Sequence, residues 1–155
     1  MSFEEGLLAP GFGTLALFGA LLRTFTFAPK LRKECLPNGK FTYPYTPWEH
    51  KSEKLYRAHR AQENIKEWGQ MFVPSLFLFS IFTRRLPVVG EYEQPITLFL
   101  GLAYAFLNYQ YFHGYVESAE GRIPAFKKRV LVFSIVFFGA MGAMGYAAFE
   151  KFAKV

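Results

Sequence analysis

The chain has 155 residues, of which 52% are hydrophobic and 19% are charged, and 19 of them are phenylalanine. This composition excludes an ordinary soluble domain and indicates a membrane protein. The formal net charge of +6 does not indicate nucleic-acid binding, because that role needs basic groups on one solvated face and here they cluster between apolar stretches. The length fits one domain, at 1–155.

Four apolar stretches predict an all-α protein with membrane-spanning helices at about 7–28, 60–83, 96–118 and 128–149. The first, third and fourth stretches are apolar enough by themselves, whereas the second needs its polar lead-in RAQENIKE to belong to the same helix. The chain begins with acidic rather than basic residues. We therefore expect the first stretch to be a retained span and not a cleaved signal peptide.

Basic residues are concentrated in the loop between spans one and two and in the loop between spans three and four. The positive-inside rule places both loops in the cytosol and both termini on the far side of the membrane. Cys35 is the only cysteine, so no disulfide can form within the chain. The three histidines are scattered along the sequence, and no metal site is predicted.

Two polar stripes are predicted near the cytosolic ends of spans two and three. On a helix, one face carries residues at i, i+4 and i+7, which are Arg60, Asn64 and Glu67. The other face carries residues at i, i+4, i+7 and i+11, which are Tyr111, Tyr115, Ser118 and Arg122. Each residue alone could be a snorkelling or interfacial side chain. Together they favour a polar site for a small zwitterionic ligand, where an arginine could hold a thiolate or an oxyanion.

The same two stripes contain sequence motifs. The pattern Arg60-x-x-x-Asn64-x-x-Glu67 and the stretch "YFHGYVESAEGR" at 111–122 resemble the two signatures of the membrane-associated proteins in eicosanoid and glutathione metabolism. The resemblance covers roughly residues 55–140, and the nearest branch is that of the leukotriene-C4 synthases and type 2 microsomal glutathione S-transferases. It implies an integral membrane four-helix bundle and a homotrimer in the endoplasmic reticulum or nuclear envelope. Glutathione, the co-substrate, would bind between adjacent subunits on the cytosolic side.

The resemblance also assigns roles to individual residues. The positions that match glutathione-binding residues are Arg60, Gln62, Asn64, Glu67, Tyr111 and Tyr115. Arg122 matches the arginine that stabilises the glutathione thiolate, the form that attacks an electrophile such as an epoxide. Trp68 stands where relatives carry tyrosine, and Asn108 stands where some carry arginine. Weaker matches are Trp68, Ser118 and, at the end of span one, Arg32, for which Lys33 could substitute.

These matches predict a membrane glutathione transferase that conjugates glutathione to a lipophilic electrophile, and the resemblance leaves open whether it also reduces lipid hydroperoxides. The alternative is a non-catalytic protein that presents lipid, similar to the lipoxygenase-activating member of the family. That member departs from the family at the positions matching Arg60 and Arg122. Both arginines are present here, which favours the enzyme. A structural four-span protein without a ligand would leave both polar stripes unexplained.

Overall fold

A computed structural model describes residues 7–35 and 52–153 of the chain. Four long helices account for most of these residues: α1 (Leu8–Cys35), α2 (Glu53–Thr83), α3 (Glu93–Glu117) and α4 (Ile123–Phe152). A short 3-10 helix, Val89–Tyr92, lies between α2 and α3. No strand occurs in the two described ranges. The all-α prediction is confirmed.

The polar lead-in of the second stretch is part of α2, as its length required. The helix begins at Glu53, seven residues before the predicted start of the span, and Ser52 is its N-cap. The Ser52 hydroxyl accepts a hydrogen bond from the backbone N–H of Leu55 at 3.4 Å, which satisfies one of the donors that a helix start leaves free. The segment 60–67 therefore lies within a continuous helix that leads into the apolar part of α2.

The connection between α3 and α4 differs from the prediction. The helical face of α3 was expected to continue through Ser118 to Arg122, but α3 ends at Glu117 and the backbone of Ser118 is extended, with φ −151° and ψ 158°. The chain reverses within a few residues, and α4 begins at Ile123, with Pro124 in its first turn. Arg122 is therefore the N-cap residue of α4 and not the last member of a stripe on α3.

The helices pack as a bundle in which α1 contacts α3 and α2, while α4 contacts α2 and α3. One buried apolar cluster lies around Phe72, Leu76, Tyr104 and Val136. A second cluster contains Ile65 of α2, Phe112 of α3 and Ala125 of α4, with further members Leu31, Leu55, Ala58, Ala61, Tyr111 and Val116. The second cluster lies at the end of the bundle where both polar stripes were predicted.

Glycines allow α1 and α3 to approach closely. A Cβ atom added to Gly101 would lie 2.6 Å from the Cα atom of Gly13. A side chain at either position would therefore push the two helices apart. This contact fixes the spacing of α1 and α3 at the middle of the bundle.

The outer surface of the bundle is apolar. Large hydrophobic side chains are exposed on α1, α3 and α4, for example Leu15, Phe99 and Phe138, each more than 60% exposed. Exposure of this kind is unusual for a soluble protein and is typical of helices surrounded by lipid. Two helices, at Leu8–Phe27 and Ile123–Phe152, are long and apolar enough to cross a membrane. Neither α2 nor α3 meets the same criterion, and four membrane spans remain a prediction.

Candidate functional site

A cavity of about 400 Å³ opens between α2, α3 and the start of α4. Its volume lies within the range of about 300–1,000 Å³ that is usual for small-molecule sites. It is lined by Asn64, Tyr111, Arg122, Ile123 and Phe126. Three of these residues, Asn64 from the first stripe and Tyr111 and Arg122 from the second, were predicted to share one polar site. The bundle brings these three together.

Arg122 reaches this cavity because the turn before α4 is tight. The Ser118 hydroxyl accepts a hydrogen bond from the backbone N–H of Gly121 at 2.8 Å. The backbones of Gly114 and Gly121 approach so closely that a Cβ atom on either would overlap the other residue. The chain is thereby folded back over α3, and the Arg122 guanidinium carbon lies 4.3 Å from the centre of the Tyr115 ring.

The charge of Arg122 is available to a ligand. Among the described residues, no carboxylate lies within ion-pair distance of it. It also stands at the N-terminus of α4, where the helix dipole adds a partial positive charge of about half a unit. A half-buried guanidinium beside a helix N-terminus favours the binding of an anion.

A second arginine of this region, Arg129 of α4, was not predicted. Its side chain is fully buried, at 0% exposure. Its Nη1 donates to Asn108 Oδ1 at 2.9 Å, and its Nη2 donates to Asn64 Oδ1 at 2.6 Å. Its guanidinium carbon also lies 4.3 Å from the centre of the Tyr111 ring. Arg129 therefore contacts two of the residues that line the cavity.

The sequence contains a signal for Arg129. It is the last of three consecutive basic residues, after Lys127 and Lys128, and only one of the three fits the buried face of α4. The buried residues of that helix are Ala125, Arg129, Val136, Ala140 and Ala143. These positions follow helical spacing, whereas Lys127 and Lys128 are exposed. The helical phase of the small and apolar residues would have separated the buried arginine from its neighbours.

Comparison with known proteins identifies proteins that this chain resembles. No family model matches the chain, whereas several curated proteins do. Microsomal glutathione S-transferase 2 of Bos taurus is 29% identical over 94 residues, which are 61% of this chain and 57% of that protein. Leukotriene C4 synthase of Rattus norvegicus is 25% identical over 145 residues, 93% of this chain and 85% of that protein. The corresponding match to the Mus musculus transferase is 32% over 71 residues, 46% and 42%.

The chain is similar to these members of the membrane-associated proteins in eicosanoid and glutathione metabolism. The resemblance predicted from the two motifs, to microsomal glutathione S-transferase 2 and leukotriene C4 synthase, is confirmed. The match to the bovine transferase covers little more than half of that relative's length. The activity, substrates and partners of this chain are therefore proposals.

Four of the six residues matched to the family's glutathione site do not line the cavity of the single chain: Arg60, Gln62, Glu67 and Tyr115. Arg60 is exposed, and its Nη1 lies 3.0 Å from an oxygen of Glu63. Glu67 is also exposed on α2. Gln62 is buried, and its amide donates to the backbone carbonyl of Thr24 in α1 at 2.9 Å. Their roles in glutathione binding stay predictions.

Tyr115 and Ser118 do not line the cavity, but both contact the segment that carries Arg122. Tyr115 is half-buried, with the guanidinium of Arg122 over its ring and the Tyr111 ring centre 5.9 Å away. The Ser118 hydroxyl accepts a hydrogen bond from the Gly121 backbone N–H, and this bond stabilises the turn. Tyr115 thus orients Arg122, and Ser118 shapes the backbone that carries it.

Trp68 and Arg32 were weaker matches to the family. Trp68 is half-buried, and its ring packs edge-on against Phe133 and Phe126, with ring centres 5.3 Å and 6.3 Å away. Trp68 therefore fills apolar space between α2 and α4. Arg32 lies near the end of α1, but its side chain is outside the described residues.

Proposed function

We propose that the protein is a membrane glutathione transferase, which binds glutathione and joins its sulfur to a lipophilic electrophile. The observation that carries this proposal is the cavity at which Arg122, Asn64 and Tyr111 meet. The names of the relatives, microsomal glutathione S-transferase 2 and leukotriene C4 synthase, support the same chemistry.

The site suits thiol activation. A free thiol has a pKa of about 8.5 and is mostly protonated at neutral pH. Arg122 has no carboxylate partner among the described residues, so it can stabilise the thiolate together with the N-terminus of α4. A shift of about two pKa units requires about 3 kcal/mol of differential stabilisation. A partly desolvated cation in contact with the sulfur can supply this amount.

The thiolate then attacks a carbon of the electrophile. For an epoxide, a carbon–sulfur bond forms as the carbon–oxygen bond breaks, and the resulting alkoxide takes a proton from water. The apolar outer surface of the bundle gives a substrate dissolved in the membrane access to the protein. Leukotriene epoxides and lipid hydroperoxides are substrates that dissolve in a membrane.

The finer features of the proposal follow the family resemblance. Four helices cross the membrane of the endoplasmic reticulum or nuclear envelope, and the site faces the cytosol. Three copies associate, and Arg60 and Glu67 of α2 complete the glutathione site at the contact between subunits. Their exposure in the single chain leaves them free to contact a ligand or a neighbour.

The second candidate function is lipid presentation without catalysis. A protein that only presents lipid would not need arginines to hold glutathione or stabilise its thiolate. Both Arg60 and Arg122 are present in this chain, which favours the enzyme.

The experiment that distinguishes the two functions uses protein purified in detergent. It is assayed for glutathione binding and for conjugation with a generic electrophile and with leukotriene A4. We expect saturable binding and enzyme-dependent conjugation. A purified protein that neither binds glutathione nor conjugates it to either electrophile would contradict the proposal.

A further inference from the structure

Arg129 is an unusual residue for the interior of a helical bundle. It is fully buried, and among the described residues no carboxylate lies within ion-pair distance of it. Burying a guanidinium without a counter-charge is costly, and a pair of neutral amide oxygens offsets only part of that cost. An apolar side chain of similar length would fill this space at a lower cost. The contacts of Arg129 indicate what the charge does.

The contact with Asn64 determines which end of that amide faces the cavity. A guanidinium has only donors, so the atom of Asn64 that lies 2.6 Å from Arg129 is the oxygen. The –NH₂ group of Asn64 is then the part that remains for a ligand. Since Asn64 lines the cavity, it offers a hydrogen-bond donor there and not an acceptor.

The contact with Tyr111 has a similar effect. The guanidinium lies over the ring at 4.3 Å from its centre, a favourable cation–π distance, and Tyr111 is only 3% exposed. The ring is held against Arg129 on one side, and the residue lines the cavity on the other. The same guanidinium thus fixes one residue from α2 and one from α3.

We propose that Arg129 is a positioning residue that holds Asn64 as a donor, and Tyr111 beside it, for an anionic oxygen of the bound ligand. This inference rests on the proposed function, in which that oxygen belongs to a carboxylate of glutathione. Arg129 adds a fixed positive charge behind the two residues, because no described carboxylate neutralises it. Arg122 acts on the sulfur, and Arg129 acts on the binding of the rest of the molecule.

The first test replaces Asn64 by aspartate. Asn64→Asp keeps the shape and gives Arg129 a charged partner, but it removes the donor and puts a negative charge at the cavity. We expect the affinity for glutathione, measured by isothermal titration calorimetry, to fall at least about tenfold, since a hydrogen bond to a charged group is lost. The midpoint of thermal unfolding in the same detergent should not decrease.

Two outcomes of this test would overturn the inference. Affinity within about twofold of the wild type would mean that the ligand does not use a donor at residue 64. A lower midpoint of unfolding would mean that Arg129 is not the partner of that residue. A wild-type protein that fails to bind glutathione would overturn the proposed function as well, whereas normal wild-type binding isolates the inference about Arg129.

The second test changes Arg129 itself. Arg129→Gln should raise KM for glutathione about tenfold while kcat at saturating glutathione stays nearly constant, because the residue acts on binding and not on the sulfur. Lys128→Gln, which removes the same charge from the exposed neighbour, is the matched control and should leave both constants unchanged. In the Arg129→Gln background, Asn64→Ala should add little further loss, because residue 64 is no longer held.

A fall in kcat at constant KM, or losses that simply multiply in the double variant, would contradict a positioning role. If Arg129→Gln does not fold, Asn64→Asp still tests the positioning role, because that variant keeps Arg129 and gives it a charged partner.

Discussion

Arg60 and Glu67 are the predicted site residues whose positions in the single chain differ most from those of a buried ligand site. Both are exposed on α2, and the nearest charge to the Arg60 guanidinium is Glu63 at 3.0 Å. An exposed ion pair contributes little to the free energy of unfolding. The loss of either residue should therefore affect ligand binding much more than folding.

We predict that Arg60→Ala and Glu67→Gln each weaken glutathione binding at least about tenfold, because each removes a charged partner from a carboxylate or an amine of the ligand. Titration calorimetry on the purified variants measures this. Arg85→Ala, at an exposed arginine beyond the other end of α2, is the control for a change of net charge. Unchanged affinity in both site variants would remove these two residues from the glutathione site.

Among individual residues, those facing the cavity from α2 and α3 were predictable, and the buried cation behind them was missed. Helical spacing places Asn64 and Tyr111 on the polar faces of their helices, and both residues line the cavity. Arg129 appeared to belong to a solvated basic run. The helical phase of α4 marks Arg129 as buried, but its contacts with Asn108 and Asn64 from two other helices do not follow from that spacing.

The turn between α3 and α4 is the element that brings Arg122 to the cavity. The prediction from helical periodicity extended the polar face of α3 too far, because residue spacing does not show where a short turn reverses the chain. The reversal depends on Gly114 and Gly121, whose backbones touch. Pro124, with its fixed backbone angle, then lies in the first turn of α4. The stripe was expected to run to Arg122, but α3 ends at Glu117.

We predict that Gly114→Ala lowers the conjugation rate and destabilises the protein by about 1–3 kcal/mol, because the added methyl group would overlap the backbone of Gly121 and shift Arg122. Thermal unfolding in detergent and a steady-state assay measure the two effects. Gly142→Ala is the control, since a Cβ atom at Gly142 would meet nothing within 4 Å. A Gly114→Ala protein with wild-type rate and stability would show that the turn tolerates a wider spacing.

For the whole molecule, the number and order of the helices were predictable from hydropathy. The apolar stretches correspond to α1–α4, and the large apolar side chains on the outside, such as Leu131 and Phe149, agree with a lipid environment. The association of chains was not predictable from spacing, because a polar stripe does not show whether its partner is the same chain or another. That part of the prediction rests on the family resemblance.

We predict that the protein is a homotrimer in detergent and that the trimer is the active species. Native mass spectrometry after mild detergent removal gives the mass of the complex, and the conjugation assay on fractions from size-exclusion chromatography gives the activity. Activity should follow the trimer fraction. Monomers that retain the full conjugation rate would show that each chain carries a complete site.

The central claim, that this cavity binds glutathione and that Arg122 stabilises its thiolate, is tested most directly by the ultraviolet absorbance of bound thiolate as a function of pH. In the wild-type protein we expect the thiolate signal at neutral pH, well below the pKa of about 8.5 of a free thiol. In Arg122→Ala, glutathione should still bind, but the signal should fade at neutral pH and return as the pH rises. The conjugation rate should follow it. Lys127→Ala, at an exposed lysine in the second turn of α4, should titrate like the wild type. An Arg122→Ala protein with the wild-type thiolate signal and rate at neutral pH would contradict the account.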